Sequence, residues 1–457
     1  MSKMITMVAA VVAVVVVVGA GCFVLFGNGN DSGSSADIAS KLQIRGNAND
    51  DHTINSDDMA IVQDIINGTR NKDDFPLADV NDDGKVNETD VSLLQDLIDR
   101  KEGCTVYVIC LDRDGKNTSV SCTYPLRNVV PYGTNVQEPV LYANGGQYVA
   151  GYFVSSYDVA DASIAKTAVN LHGTTRTISA TAWSNFTKLD SDLISKGGVG
   201  ALIVDYSGIA QITAARADDC AKAGIPMLIF SSADATDETT TVLTLGFLFG
   251  GDCEKLGVKY AQIAWDVIEF VKSKVGGYTN EQKVTYICCT MYIYLCGKTS
   301  TFNTTATTAG GYAYANVNAD FDAATPKNSQ KMGGTEAMAN YTTVGKVINN
   351  RSMDFGLDAD GIKAMIIDTW DHDNDGVSSK VYFKGYDDKL VYVNNLLPGG
   401  AKIAYMAHAM YPDLFSKSWA DDVLKDYINT GTMPLKGQTL SSICSYIDVN
   451  DYNAAIA

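Results

Sequence analysis

None of the ten cysteines falls in a Cys-x-x-Cys pair, so the ligand spacing of a zinc ribbon and that of a dithiol redox motif are both missing. The sequence also lacks a Gly-rich phosphate loop, a Gly-x-Ser-x-Gly elbow and a His-Glu-x-x-His pair. Phosphoryl-transfer, serine-hydrolase and zinc-protease chemistries are therefore left without their carriers. Positive charge is in short supply. There are 35 Lys and Arg against 53 Asp and Glu, a net charge of −18 over 457 residues, and such a surface disfavours nucleic acid and suits cations. Residues 41–102 hold fifteen of the acidic and seven of the basic side chains, a net −8, so much of the excess is concentrated there.

What is present suffices for several folded units, since a hydrophobic fraction of 46% can bury proper cores in two or three domains. Residues 4 to 26 are almost wholly apolar and long enough to cross a membrane as an anchor helix. Val18-Gly19-Ala20-Gly21-Cys22 is spelled like a lipoprotein cleavage box, but Phe23-Val24-Leu25-Phe26 carries the apolar run past that cysteine. Residues 1–27 thus read as a membrane anchor or lipoprotein signal, residues 28–40 as a flexible tether, and everything beyond as extracellular.

Residues 41–102 contain a repeat with a period of 32 residues. One copy runs from Asn47 to Asp58 and the other from Asp79 to Asp90, and apolar helical patterns follow at 59–67 and 91–100. In each copy oxygen-bearing side chains occupy loop positions 1, 3, 5, 9 and 12 and a carbonyl is available at position 7, which is the arrangement that surrounds a calcium ion. The second copy supplies Asp79, Asn81, Asp83, Lys85, Asn87 and Asp90, with Gly84 at the sharp turn of position 6. The first supplies Asn47, Asn49, Asp51, Thr53, Asn55 and Asp58, and departs by having Asn at position 1 and His52 at position 6. Closed by Asp rather than Glu and followed by one helix each, the paired loops resemble a dockerin module. That resemblance implies calcium as the cofactor and a cohesin-like domain on another surface protein as a partner.

After Gly103 the pattern changes to alternating strands and helices. Strands are expected at 106–111 and 119–123 around the turn Asp112-Arg113-Asp114-Gly115, with Cys110 and Cys122 either bridged across that hairpin or buried as thiols. Further strands are expected at 128–130, 148–153, 201–205 and 224–230, with a helix at 209–223, which makes a mainly parallel sheet. From Asp252 to Lys274, Leu256, Ile263, Val267, Phe270 and Val271 recur at three- and four-residue steps, so one long amphipathic helix runs from a cap at Asp252 to Gly276-Gly277. Beyond it, strands are expected at 284–295, 363–368 and 402–406 and helices at 343–349, 387–395 and 416–429, while 299–335 reads as a long loop. The fold class is α/β. Two Rossmann-like lobes, residues 103–250 and 276–430, are joined by one backbone helix at 251–275, preceded by a small all-α module at 41–102 and followed by a C-terminal segment at 431–457.

The series Arg127 to Pro131, Gly145-Gly146, Tyr148 to Tyr152, Ala201 to Asp205, Ala223 to Pro226 and Leu245-Gly246, leading into the long helix, resembles the substrate-binding proteins of iron-complex and cobalamin ABC importers. The resemblance spans about residues 103–430 and is closer in the first lobe. It implies a non-enzymatic protein that captures a metal chelate (ferric siderophore, haem or corrinoid) between the lobes and hands it to an ABC permease. In open parallel sheets ligands sit beyond the carboxyl ends of the strands. That rule nominates Tyr132, Thr134, Asn135, Tyr152, Ser156, Tyr206 and Ser231 on the first lobe, and Tyr292, Trp370, His408 and Tyr411 on the second. Each of these also has a plain reading as core packing or loop surface. The resemblance further implies a transporter-docking carboxylate on each lobe, which Glu138 matches and for which Asp354 is the second-lobe counterpart. Two other readings stay open: a surface adhesion or scaffold protein whose lobes display the module, and a chelatase-like enzyme.

Overall fold

A computed structural model describes residues 41–457 apart from 133, 155–175, 180–198, 207–208, 210–211, 213, 232–233, 291–293, 299, 326–329, 332–341, 372, 375–376 and 379–387. The apolar run at 4–26 lies outside the described residues. Among the described residues no helix is long and apolar enough to cross a membrane.

The N-terminal module consists of helices α1 (Ser56–Ile66) and α2 (Glu88–Ile98), each opened by a reciprocal capping box, Asn55 with Asp58 and Asn87 with Asp90. Ile61, Val62, Leu94 and Leu97 face inward at helical spacing and pack with Ala78 and Val80.

The first lobe follows as β1 (Thr105–Leu111), β2 (Asn117–Thr123), β3 (Val129–Tyr132), α3 (Thr134–Tyr142), β4 (Gly151–Val154), β5 (Arg176–Ser179), β6 (Ala201–Asp205), α4 (Ala214–Lys222), β7 (Met227–Phe230) and α5 (Ala235–Phe249). Its sheet is ordered β2-β1-β7-β6-β3, with β3, β6 and β7 parallel, while β4 and β5 pair separately. The hairpin register sets Cys110 opposite Thr118 and Cys122 opposite Val106. Of the two readings for Cys110 and Cys122, the bridge is not formed, and both are free buried thiols.

Helix α6 (Asp252–Val275) is continuous over 24 residues. Its cap is Gly251, with Asp252 as the first helical residue, and it buries Gly257, Tyr260, Ala261, Ala264, Val267, Ile268 and Val271. The second lobe contains β8 (Thr285–Thr290), β9 (Tyr294–Leu295), α7 (Thr301–Thr308), β10 (Tyr312–Ala313), α8 (Ala319–Ala324), β11 (Gln330–Lys331), β12 (Lys346–Arg351), α9 (Ala359–Asp371), β13 (Asp373–Asn374), β14 (Val377–Ser378), β15 (Leu390–Asn394), α10 (Gly399–Met410), α11 (Lys417–Thr430), β16 (Tyr446–Ile447) and α12 (Val449–Ile456). Its sheet is built on the parallel strands β8, β12 and β15.

Four second-lobe expectations are reversed. The runs at 363–368 and 402–406 are helices α9 and α10, and those at 343–349 and 387–395 are strands β12 and β15. For α10, β12 and β15 the physical cause is burial. Helix α10 is buried on nearly every side, so no polar face marks its period. Strands β12 and β15 are covered on both faces and show no alternation. The stretch at 299–335, expected as loop, contains α7 and α8.

Candidate ligand cleft and calcium loops

The carboxyl ends of the two sheets meet. Strand β7 ends at Phe230 and leads into α5, and β15 ends at Asn394 and leads into α10. Gly399, the first residue of α10, lies so close to α5 that a Cβ there would stand 2.3 Å from the Ala235 carbonyl oxygen. The Ala235 N–H donates to Thr305 Oγ1 of α7 at 3.1 Å, so second-lobe helices close over the start of α5. In an open α/β architecture ligands lie beyond the carboxyl ends of the strands, the ends from which these contacting helices start.

On the first-lobe side the parallel register brings Tyr132, Tyr206 and Ser231 to one edge, because Tyr132 aligns with Val204 and Asp205 with Phe230. Tyr132 is buried, while Tyr206 and Ser231 are half-exposed. Asn135 of α3 donates from Nδ2 to Asp205 Oδ2 at 2.8 Å, fixing a buried carboxylate that sequence reasoning did not nominate. Thr134 opens α3 and Tyr152 lies in β4. Ser156 and Tyr292 lie outside the described residues.

Behind Ser231 sit two more unforeseen acids. Asp234 caps α5, its Oδ1 accepting from the N–H groups of Thr236 and Asp237 at 2.8 and 3.0 Å. Burial, and then the charge of Asp234, push the Asp237 carboxyl well above the usual carboxylate range. One turn on, Glu238 lies in a buried ion pair with Lys402 of α10. The same carboxylate accepts from Tyr260 Oη of α6 and, at 2.9 Å, from Gly399 N–H. One side chain thereby ties the first lobe, the long helix and the second lobe together.

Three second-lobe nominees lie elsewhere. Trp370 is buried in α9, stacked on Tyr452 at 5.3 Å and edge-on to Tyr392 at 5.8 Å. His408 lies in α10 with Nδ1 2.9 Å from the Phe415 carbonyl oxygen and its ring against Tyr446. Tyr411 donates to the Gly310 carbonyl and accepts from Val284 N–H, both at 2.9 Å. Trp370 and His408 were placed at strand ends that are in fact helices, and all three make packing contacts rather than gathering with Tyr132, Tyr206 and Ser231. The carboxyl edge of the second sheet instead carries Arg351, bound to Asp368 Oδ2 at 2.6 Å and to Thr369. Glu138 is the fifth residue of α3, beyond the first turn expected for it, and Asp354 is exposed between β12 and α9.

In the second calcium-type loop, Asp79 accepts from the N–H groups of Asp83 and Gly84 at 3.1 and 2.8 Å. Asp90 accepts from those of Val80 and Asn87, both at 2.8 Å. With the carboxylates turned to backbone N–H groups, no three His, Cys, Asp or Glu side chains among the described residues form a group able to hold a metal. The donors are nonetheless hard oxygens of the kind calcium takes, and Gly84 at position 6 has a φ of +84° with open space around it. Both loops share a positive φ at position 4, Asp50 and Asp82. In the first loop Asp58 accepts from Asn49 and Asn55 N–H, and burial pushes its carboxyl up to about 6.

The module is fastened to the lobe. Ile44 pairs antiparallel with Val108, and Arg45 bonds Ser119 Oγ, the carbonyls of Pro76 and Asp79, and the Asp82 carboxylate. Arg100 at the end of α2 forms an ion pair with Glu254 of α6.

Comparison with known proteins fits this geometry. Residues 46–99 match the Dockerin type I domain. A dockerin is a calcium-binding module. For the remainder, the TroA-like periplasmic binding protein FepB from Veillonella parvula has a TM-score of 0.53 at 13% identity, with 74% of this chain and 99% of that chain covered. The Helicobacter pylori protein Ceue with Ni(II) bound gives a TM-score of 0.47 at 11% identity over 76% of this chain and 99% of that one. The first of these shows that the chain has the two-lobe fold of TroA-like binding proteins. No curated protein matches the chain.

Proposed function

We propose that the chain is the extracellular solute-capturing component of an ABC importer, membrane-tethered through residues 1–27, which takes a metal chelate into the crevice between its two sheets. The observation that supports the reading is that two lobes built on parallel sheets are joined by one unbroken 24-residue helix, with the helix starts that follow β7 and β15 in contact. Tyr132, Tyr206 and Ser231 stand on the first-lobe edge beside Asp205, Thr134 follows Tyr132 in sequence, Tyr152 and Ser156 complete the first-lobe set, and Arg351 is already paired. That lining suits a large chelated or planar ligand better than a small zwitterion, which needs a free charged clamp. Trp370, His408 and Tyr411 support the second lobe's packing in this reading, and Glu138 and Asp354 are carboxylates for permease docking. The second calcium loop is open to solvent and, with calcium, presents the module to a cohesin-like partner.

The test is to purify residues 28–457, identify any co-purifying ligand by mass spectrometry, and titrate the stripped protein with a ferric siderophore, haem and a corrinoid. Saturable binding of one of these, weakened by Tyr206→Ala, is expected. Binding of none of the three, with the fold intact, overturns the chelate reading.

A further inference from the structure

The two loops of the module are placed differently, and we propose that a calcium ion in the first loop fastens the module to helix α6. This rests on the calcium reading above and gives a distinct role to the loop that departs from the pattern. Asp82, Asp83, Gly84 and Lys85 of the second loop are exposed, whereas Asp51, His52 and Thr53 of the first are half-buried. His52, at position 6, stacks on Trp265 of α6 with ring centroids 6.4 Å apart and 19° between planes. Lys41 Nζ lies 5.7 Å from the indole centroid of the same Trp265.

At position 1 the Asn47 side chain is fully buried. Its Nδ2 donates to the Asp51 carbonyl at 3.0 Å and to the Leu42 carbonyl at 3.3 Å. Turning the amide over would set Oδ1 against those two carbonyl oxygens, so its orientation is fixed by its partners. Oδ1 is then held in the loop, buried and without a hydrogen-bond partner. Leaving a buried acceptor unpaired is unfavourable, and a hard divalent cation is the ligand that satisfies such an oxygen alongside Asp51 and Asp58. Leu42, which Asn47 holds, is buried in the segment that lies along β1, where Gln43 O accepts from Ile109 N–H at 2.9 Å. One ligand position therefore grips the lobe-bound segment and a neighbouring position rests on α6. A cation between them ties both, and the solvent-facing second loop stays free for a partner.

The experiment is a calcium titration of the full chain, following Trp265 emission as the difference between the unaltered chain and Trp265→Phe. Emission should change on calcium binding. Asn47→Asp, which adds charge at position 1, should lower the midpoint by about five-fold or more. Asn49→Asp, which leaves the bond to Leu42 untouched, should act in the same direction, and Asp79→Ala in the second loop should leave the midpoint in place. The proposal is overturned if the midpoint follows Asp79→Ala and ignores both first-loop variants, or if calorimetry records calcium uptake while Trp265 stays silent. If calorimetry records no uptake at all, the calcium reading falls and the joint falls with it.

Discussion

The Glu238 carboxylate and the Lys402 ammonium are in contact across the two lobes, both almost wholly removed from solvent. Removing one partner of such a pair strands the other charge in a low-dielectric interior, which costs on the order of 3–5 kcal/mol. Lys402→Met should therefore destabilise the protein by about that much in urea unfolding. Glu238→Gln combined with Lys402→Met should cost clearly less than the two single changes added together. Additive losses would show that the pair is not coupled.

The same lock bears on motion. With α6 unbroken and Glu238 holding α5, α6 and α10 at one point, ligand should alter the radius of gyration in solution scattering by under about 1 Å. A compaction typical of a closing clamshell would rule this out.

Asp237 predicts a pH dependence with a definite sign. Its carboxyl is raised in the folded state by burial and by Asp234, so its stabilising contribution is full below the unfolded value of about 3.9 and is lost as pH climbs through the raised one. Asp237→Asn should thus melt higher than the unaltered protein at pH 8, and the advantage should shrink towards pH 4. An advantage equal at both pH values would sink the assignment.

For permease docking, Glu138→Arg should leave chelate affinity unchanged and reduce uptake in a reconstituted importer, since charges at a protein contact chiefly govern encounter and orientation. Normal uptake by that variant would make Glu138 an ordinary helix carboxylate.

Calcium should protect amides of residues 79–90 from hydrogen exchange, because Asp79 and Asp90, now bonded to backbone N–H groups, would turn to the ion. Asp79→Ala should abolish that protection. Exchange indifferent to calcium in the unaltered protein would mean the second loop is a plain Asx turn.

How much the sequence disclosed depended on where each segment lies. Helix α6 was legible to within a residue at its C-terminal end because one face meets solvent, so Ile263, Val267 and Val271 stand out against Lys259, Glu269 and Lys272. Both module helices were legible for the same reason, and their capping pairs lie within the loop spacing itself. Helix α10 and strands β12 and β15 have no solvent face, so their apolar runs carried no period to read. That ambiguity displaced His408 from a packing position to an expected strand end, and reading α9 as a strand displaced Trp370 likewise. Asp205, Asp234, Asp237 and the Glu238–Lys402 pair escaped notice because a buried charge is recognisable only once its partner is known. One local clue existed: Asp234 stands three residues before Asp237 at the head of an apolar run, the spelling of a helix start.

Gly399 and Gly400 sit where α10 meets α5 and α6, and a Cβ on the second would stand 2.9 Å from Ala264 Cα and 2.5 Å from Tyr427 Oη. Two absent methyl groups therefore set how closely α10 approaches α5, α6 and α11. An Ala at Gly399 would press α10 off α5 and one at Gly400 would press it off α6 and α11, and a close-packed interior has no slack to absorb the strain. On the proposed reading, a bulkier or slimmer cargo would therefore be met by side chains along the strand ends and not by a change at this helix contact.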